Sequence, residues 1–229
     1  MEWSTEIIRF FQNGGFFMYP IAAILCLGLA ITVERLIFLQ LAQSGNKKAQ
    51  NLLFKQLKNN DFKGALKIAS NQKSGISRIL AAGINRMSAT RHRQDIEYAL
   101  EESLLDVSLP LENRTPYLAT FANIATLTGL LGTIIGLIAA FAAVASADPT
   151  EKATLLSQSI SLAMNTTAFG LISAIPLLLA HSYLQSKTDG AINELERATV
   201  RFMSLLAAKK LLRETTDNIS VQSQDAVSS

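Results

Sequence analysis

Hydroxyl side chains recur at helical spacing in two long uncharged stretches of this sequence. Residues three or four positions apart lie on one face of an α-helix, so each stretch would carry a narrow, mildly polar stripe. The stripes are Thr126, Gly129, Thr133, Gly136 and Ala140, and Ser159, Ala163, Thr166, Gly170 and Ser173. Thr167 lies beside the second stripe. Hydroxyls donate and accept hydrogen bonds, so the stripes could border a path for water or ions.

The same small residues have a structural interpretation. Gly, Ala, Ser and Thr let membrane helices approach closely, and hydroxyls can also bond to their own backbone. Two compatible roles therefore stay open. The packing candidates are Gly129, Gly132, Gly136 and Gly170. The candidates for a wall facing ions or a partner are Thr126, Thr133, Thr166, Thr167 and Ser173.

The elements that carry these stripes are long enough to cross a membrane, which takes about 20 apolar residues in a helix. The sequence predicts three spans, at 16–41, 117–147 and 159–184. Neither Leu118 to Ala147 nor Ser159 to Leu184 contains Asp, Glu, Lys or Arg. A soluble bundle of three buried helices is the alternative, but core helices seldom stay uncharged this long. The expected fold is all-α, with three transmembrane helices and long cytoplasmic helical extensions.

Basic residues are distributed unevenly between the links. Residues 42–116 contain twelve Lys or Arg, whereas the link after the second span has only Lys152 and the N-terminal segment only Arg9. Positive charge collects on the cytoplasmic side, which predicts a periplasmic N-terminus and a cytoplasmic C-terminus. Topology explains the basic balance, and a nucleic-acid partner is not needed. Glu34 and Arg35 lie toward the inner end of the predicted 16–41 span, where they are expected to pair or reach toward water as interface anchors.

The remaining segments complete the predicted organisation. They are an amphipathic periplasmic-interface segment (1–15), a cytoplasmic helical domain (42–116), a periplasmic turn (148–158), a cytoplasmic C-terminal helix (185–214) and a polar, disordered tail (215–229). Pro110 and Pro116 are expected to bend or interrupt the helix that leads into the second span.

Motifs of enzymes are missing from the sequence. It has no phosphate-binding loop, no HExxH zinc motif and no GxSxG elbow, which argues against an enzyme and against a cofactor. Cys26 has no partner for a disulfide or metal and is interpreted as a small apolar filler. His92 is interpreted as a solvated basic residue, and His181 as an interfacial anchor or a water-facing group. A proton relay needs a titratable group, so a second protein would have to bring the acid into the second and third spans.

Three stretches resemble the MotA/TolQ/ExbB proton-channel family. They are "ANIATLTGLLGTIIG" in the second span, "TTAFGLISAIP" in the third, and "ERL" at Glu34 to Leu36. The resemblance covers about residues 20–206, and the three-span layout is similar to the ExbB/TolQ branch. Flagellar stator proteins of the MotA type generally have four spans.

The resemblance implies a homo-oligomer, a pentamer, in the inner membrane of a Gram-negative bacterium. The ring would surround single-span ExbD- or TolR-like subunits whose Asp takes up and releases protons. Proton motive force would then drive mechanical work on a periplasmic partner, such as a TonB-like protein. The family's threonines match Thr133 and Thr167, with Thr166 adjacent, and which of the latter two faces the pore stays open.

One position departs from the family. ExbB and TolQ carry a Glu near the outer start of the third span, where this chain has Leu162. The departure leaves the partner's Asp as the expected acid and keeps sodium open as the coupling ion. A non-conducting membrane scaffold and a flagellar-stator-like subunit are the other functions that the sequence allows.

Overall fold

The computed structural model describes residues 15–59, 61–71, 73–90 and 92–227, with side chains as far as Ala208. Within these ranges the chain forms six helices and no strand. The helices are α1 Met18–Lys58, α2 Phe62–Asn71, α3 Gly75–Ala89, α4 Arg93–Glu112, α5 Thr115–Ser146 and α6 Lys152–Val227. The predicted amphipathic N-terminal segment lies outside the described residues, except for Gly15.

Local sequence accounts for the helix boundaries. Asp61 precedes α2, and its carboxylate accepts a hydrogen bond from the Gly64 backbone N–H at 2.8 Å. Ser74 caps α3 by accepting from the Ser77 N–H at 3.3 Å. Asp and Ser favour such positions because their oxygens satisfy free N–H groups at a helix start. Pro116 lies in the first turn of α5, where a missing N–H costs least.

A break in the helix is found at one of the two proline positions. Pro110 lies inside α4, which continues to Glu112. The interruption comes at Asn113 and Arg114, directly before Pro116. A proline disfavours helical backbone in the residue before it, which is consistent with a restart at this point.

Three helical stretches are long and apolar enough to cross a membrane, and they are Met18–Lys58, Arg93–Ser146 and Lys152–Ala208. Their most apolar windows are only 17%, 17% and 39% buried within the chain. Buried helices of a soluble bundle would hide most of these residues, so the soluble alternative does not fit. The all-α prediction is confirmed for the described residues, and three of their helical stretches are candidates for membrane spans.

The chain divides into two compact units. The first, here called the membrane unit, contains the described residues 15–37 and 112–186. Met18 and Ile21 of α1, Ala125 of α5 and Phe169 of α6 form a buried cluster in it. Gly28 lies against Leu177, since a Cβ there would be 2.5 Å from Leu177 Cδ2. Three helices therefore pack together in this unit.

The second unit, here called the extramembrane unit, contains the described residues 38–111 and 187–208. The predicted apolar stripe of α3 supplies part of its core through Ile76, Ile79 and Leu80, each at most 1% exposed. Leu100 of α4 and Phe202 of α6 are also buried, and both approach Gly83. This unit is held by large apolar side chains in the usual manner of a water-soluble helical core.

The predicted segment boundaries stay predictions. Helix α1 runs through Glu34 and Arg35 as far as Lys58, and five residues, 147–151, separate α5 from α6. Helix α6 extends to Val227, into the segment from residue 215 for which composition predicts disorder.

Candidate functional site

The contact between α5 and α6 is built from small residues. A Cβ added at Gly170 would lie 2.8 Å from the Ala125 carbonyl oxygen and 3.1 Å from the Gly129 Cα. A Cβ added at Gly129 would lie 3.2 Å from the Thr167 Cα. The two helix backbones therefore touch at these positions, and side chains larger than hydrogen would separate them.

Gly132 and Gly136 continue the contact along α5. A Cβ at Gly132 would lie 2.6 Å from Cγ2 of Thr166, and a Cβ at Gly136 would lie 3.0 Å from Cβ of Ala163. Ala163, Thr166 and Gly170 all belong to the stripe predicted on the third span. The two stripes thus face each other within one chain.

The hydroxyls of Thr133 and Thr167 meet across this contact. Oγ1 of Thr167 donates to the Gly129 carbonyl oxygen at 2.9 Å. Oγ1 of Thr133 lies 3.2 Å from the Gly129 carbonyl oxygen, 3.3 Å from that of Ala163, and within hydrogen-bond distance of the Thr167 hydroxyl. Both threonines are partly exposed. The pair therefore combines one partly exposed threonine from each helix.

Thr166 occupies a different environment from its neighbour Thr167. It is 1% exposed, and its hydroxyl donates to the Leu162 carbonyl oxygen at 3.0 Å. Its methyl group packs toward Gly132. The sequence leaves open which of the two threonines faces outward, and in this chain Thr166 is the buried one.

The other two predicted hydroxyls do not join the pair. Thr126 donates to the Ala122 carbonyl oxygen in its own helix at 3.1 Å. Ser173 is fully buried, and its hydroxyl has no hydrogen-bond partner among the described residues. Of the five predicted positions, the structure brings the hydroxyls of Thr133 and Thr167 together.

Glu34, near the inner end of the predicted first span, forms ion pairs. Its Oε2 lies 3.2 Å from Nη1 of Arg114 and 3.9 Å from Nε of Arg35. Arg35 is only 4% exposed, whereas Glu34 and Arg114 are 43% and 61% exposed. Arg114 also has a left-handed backbone, with φ of 69°. The sequence did not lead us to predict the Glu34–Arg114 pair. Its one indication was a basic residue, Arg114, directly before the start of α5.

The two small-residue helices offer no acid to this site. The sequence has no Asp or Glu between Leu118 and Ala147 or between Ser159 and Leu184. Leu162, where the resemblance predicts a departure from a Glu in ExbB and TolQ, is exposed. Among the described residues, no group of three or more His, Cys, Asp or Glu is placed to hold a metal ion. The threonine pair can thus bind water, an ion or a carboxyl group, but threonine does not titrate near neutral pH.

Comparison with known proteins identifies related sequences. Residues 71–197, more than half of the chain, match the MotA/TolQ/ExbB proton channel family. A biopolymer transport protein ExbB homologue of Methanothermobacter thermautotrophicus is 26% identical over 192 residues, which cover 83% of this chain and 67% of that protein. An ExbB-like 3 protein of Synechocystis sp. is 29% identical over 175 residues, 76% of this chain and 82% of that protein.

A shorter segment has a higher percentage identity to another relative. TolQ of Haemophilus influenzae is 40% identical over 81 residues, and this alignment covers 34% of each protein. The family match and the three apolar helices lead to the same identification. The chain is a multi-pass membrane protein of the ExbB/TolQ type and belongs to the MotA/TolQ/ExbB proton channel family, a family of transport proteins.

Proposed function

We propose that several copies of this chain form a channel around the membrane helix of a partner protein, with Thr133 and Thr167 bordering the ion path. The observation that carries this proposal is the hydroxyl pair itself. It combines one partly exposed side chain from the uncharged stretch of each of two helices. Membership of a proton channel family supports protons as the ions that pass.

The hydrogen bonds of the pair leave capacity for a further ligand. Each hydroxyl has one proton to donate and two lone pairs that accept. Thr167 donates its proton to the Gly129 carbonyl oxygen, and Thr133 has three oxygen atoms within reach. Lone pairs therefore remain to accept a hydrogen bond from water or from a protonated carboxyl group. In this function the hydroxyls guide and position a proton that another group carries.

The group that carries the proton is proposed to be an Asp on an ExbD- or TolR-like subunit with a single span. Ionisable residues are costly inside a membrane and usually mark ion paths, and α5 and α6 supply none within their apolar stretches. With Leu162 in place of the family's Glu, the partner's Asp becomes the acid on which transport depends. Sodium is the alternative coupling ion, because hydroxyl and carbonyl oxygens also bind that cation.

The assembly that follows from the resemblance is a pentamer in the bacterial inner membrane. The basic segment 42–116 would lie in the cytoplasm, with the N-terminus in the periplasm and the C-terminus in the cytoplasm. Gly129, Gly132, Gly136 and Gly170 would hold the two helices of each copy together. Glu34 with its two arginines would anchor the cytoplasmic end. Movement of the partner would pass work to a TonB-like or related envelope protein.

A non-conducting scaffold is the competing function, and one observation favours it. Both hydroxyls already have acceptors within the chain, so close packing alone could explain why they are present. In that case the unchanged chain with its partner would pass no protons, and removal of a hydroxyl would alter assembly alone. The two functions therefore differ in a measurable quantity.

The test is partner-dependent proton flux into liposomes that contain the chain and a co-expressed single-span acidic partner, followed with a pH-sensitive dye. Thr133→Val and Thr167→Val keep the side-chain size and remove the hydroxyl. Each is expected to lower the flux about 10-fold or more, since a lost hydrogen bond of about 1.4 kcal/mol corresponds to that factor. Thr133→Ser and Thr167→Ser should keep most of the flux.

Thr120→Val is the matched control, because Thr120 lies on α5, is exposed and bonds only to the Pro116 carbonyl oxygen of its own helix. Its flux should equal that of the unchanged chain. Full flux in both Val variants of the pair would remove it from the path, and smaller assemblies on size-exclusion chromatography would favour the scaffold. The same measurement under a sodium gradient identifies the coupling ion.

A further inference from the structure

A cavity of about 620 Å³ opens in the extramembrane unit among α1, α3 and α4. Its volume lies within the range of small-molecule binding sites. Its lining combines apolar residues, here called the floor, with basic residues, here called the rim. The floor includes Phe38, Leu41, Ala42, Val107 and Leu111, and the rim is Lys48, Lys73 and Arg78. Among the described residues, no acidic side chain lines the cavity.

The positive charge of this rim is not balanced nearby. Lys48, Lys73 and Arg78 are all exposed, and no carboxylate of the described residues forms an ion pair with them. Three cations beside an apolar surface are complementary to a molecule with an anionic group and a hydrocarbon part. A small soluble anion has no hydrocarbon part that could contact the apolar floor.

The neighbouring polar groups already have partners. The Asn46 side-chain oxygen accepts a hydrogen bond from the Ile76 N–H at 3.3 Å, and Ser74 caps the first turn of α3. The start of α3 is thus satisfied by protein atoms. An anion in the cavity would be held by the three basic side chains of the rim.

The sequence places this cavity close to the membrane surface. Leu41 is the last residue of the first predicted span, and α1 continues without a break to Lys58. Lys48 follows Leu41 by seven residues, about 10 Å along the helix axis. A headgroup layer adds roughly 5–7 Å on each side of the hydrocarbon core. The long lysine side chain can span the remaining distance.

We propose that this cavity binds an anionic phospholipid from the adjacent leaflet. Phe38, Leu41 and the rest of the floor contact the upper part of an acyl chain. Lys48, Lys73 and Arg78 bind the phosphate headgroup, as basic clusters beside membrane helices do. The proposal goes beyond ion conduction and does not depend on it, because it uses only the cavity and its nearness to a bilayer.

The test is binding of phosphatidylglycerol to the full-length chain purified in detergent, measured by native mass spectrometry. Phosphatidylcholine, which has the same phosphate but no net charge, serves as the comparison lipid. The triple variant Lys48→Gln, Lys73→Gln and Arg78→Gln should bind phosphatidylglycerol about 10- to 100-fold more weakly. The unchanged chain should bind phosphatidylcholine as weakly as the triple variant binds phosphatidylglycerol.

Two further variants keep the result interpretable. The first is a second triple variant, with Lys55→Gln, Lys63→Gln and Lys67→Gln. It removes the same charge from exposed positions outside the cavity and should leave the affinity for phosphatidylglycerol unchanged. Gly45→Leu keeps every charge but fills the cavity, since a Cβ there meets only Ser74 Cβ at 3.9 Å. It should also weaken binding of phosphatidylglycerol.

Three results would overturn the proposal. The first is equal phosphatidylglycerol affinity in the unchanged chain and the rim variant. The second is displacement of the lipid by inorganic phosphate alone, which would indicate a site for free anions. The third is a changed oligomer size in the rim and Gly45→Leu variants without a change in lipid affinity, which would make a second copy of the chain the occupant.

Discussion

Two glycines of the membrane unit and one of the extramembrane unit have different kinds of neighbour. In the membrane unit, Gly129 and Gly170 lie against the backbone of the facing helix. In the extramembrane unit, Gly83 lies against the ends of two large side chains, Leu100 and Phe202. The first arrangement brings helix axes together, and the second makes room for apolar side chains of neighbouring helices.

The surrounding solvent explains this difference. Lipid tails are as apolar as leucine, so burying a leucine between spans gains little, and close backbone contact becomes the main attraction. In water the burial of large apolar side chains supplies most of the stabilisation. Gly129 and Gly170 therefore have a stricter role than Gly83. The same close approach brings Thr133 within reach of Thr167.

The substitution Gly170→Ala is expected to have the largest effect. The new Cβ would meet the Ala125 carbonyl oxygen and the Gly129 Cα, which are backbone atoms that cannot move alone. Unfolding in detergent, followed by circular dichroism, should show a loss of about 3 kcal/mol or more in stability. A midpoint equal to that of the unchanged chain would contradict direct backbone contact between α5 and α6.

Gly83→Ala should lower the stability less than Gly170→Ala does. Its Cβ would lie 2.6 Å from Leu100 Cδ2 and 3.0 Å from Phe202 Cε1, and these side-chain ends can shift. Alanine also favours a helix over glycine, so the net loss should be about 1 kcal/mol in the same unfolding measurement. Adding Leu100→Val creates room, and the cost of Gly83→Ala should then fall in a double-mutant cycle. A loss of stability as large as that caused by Gly170→Ala would contradict the expected difference between backbone and side-chain neighbours.

The smallest effect, and one of opposite sign, is expected for Gly190→Ala. Apart from the chain neighbours and nearby backbone of α6 itself, no atom of the described residues lies within 4 Å of a Cβ at this position. The helix preference of alanine should therefore raise the stability by about 0.5–1 kcal/mol. A lowered unfolding midpoint would mean that this face of α6 is covered by another chain in the assembly.

Several features of this molecule follow directly from its sequence. Uncharged runs such as Leu118 to Ala147 predict spans because a charge inside a membrane is costly. Glycines at helical spacing predict close contact between helices. Gly129 and Gly170 lie at such a contact. The apolar spacing of α3 predicts its buried side, including Ile76 and Leu80. Each of these is a local property of one helix in its solvent.

Other features depend on neighbours that a single helix does not specify. Thr166 and Thr167 are adjacent, and only the position of α5 determines which one is buried. The pairing of Glu34 with Arg114 joins residues that are far apart in the chain. Helix α1 also continues past Glu34 and Arg35, because a change in hydrophobicity marks a membrane boundary and not a helix end.

The central claim is that this chain forms a channel wall that needs an acid from a partner. Proton flux into liposomes tests it most directly, with the chain alone, with its single-span partner, and with the partner's membrane Asp changed to Asn. The account predicts flux only when the chain and the unchanged partner are together. Proton flux through the chain alone, or equal flux with the Asn form of the partner, would contradict it.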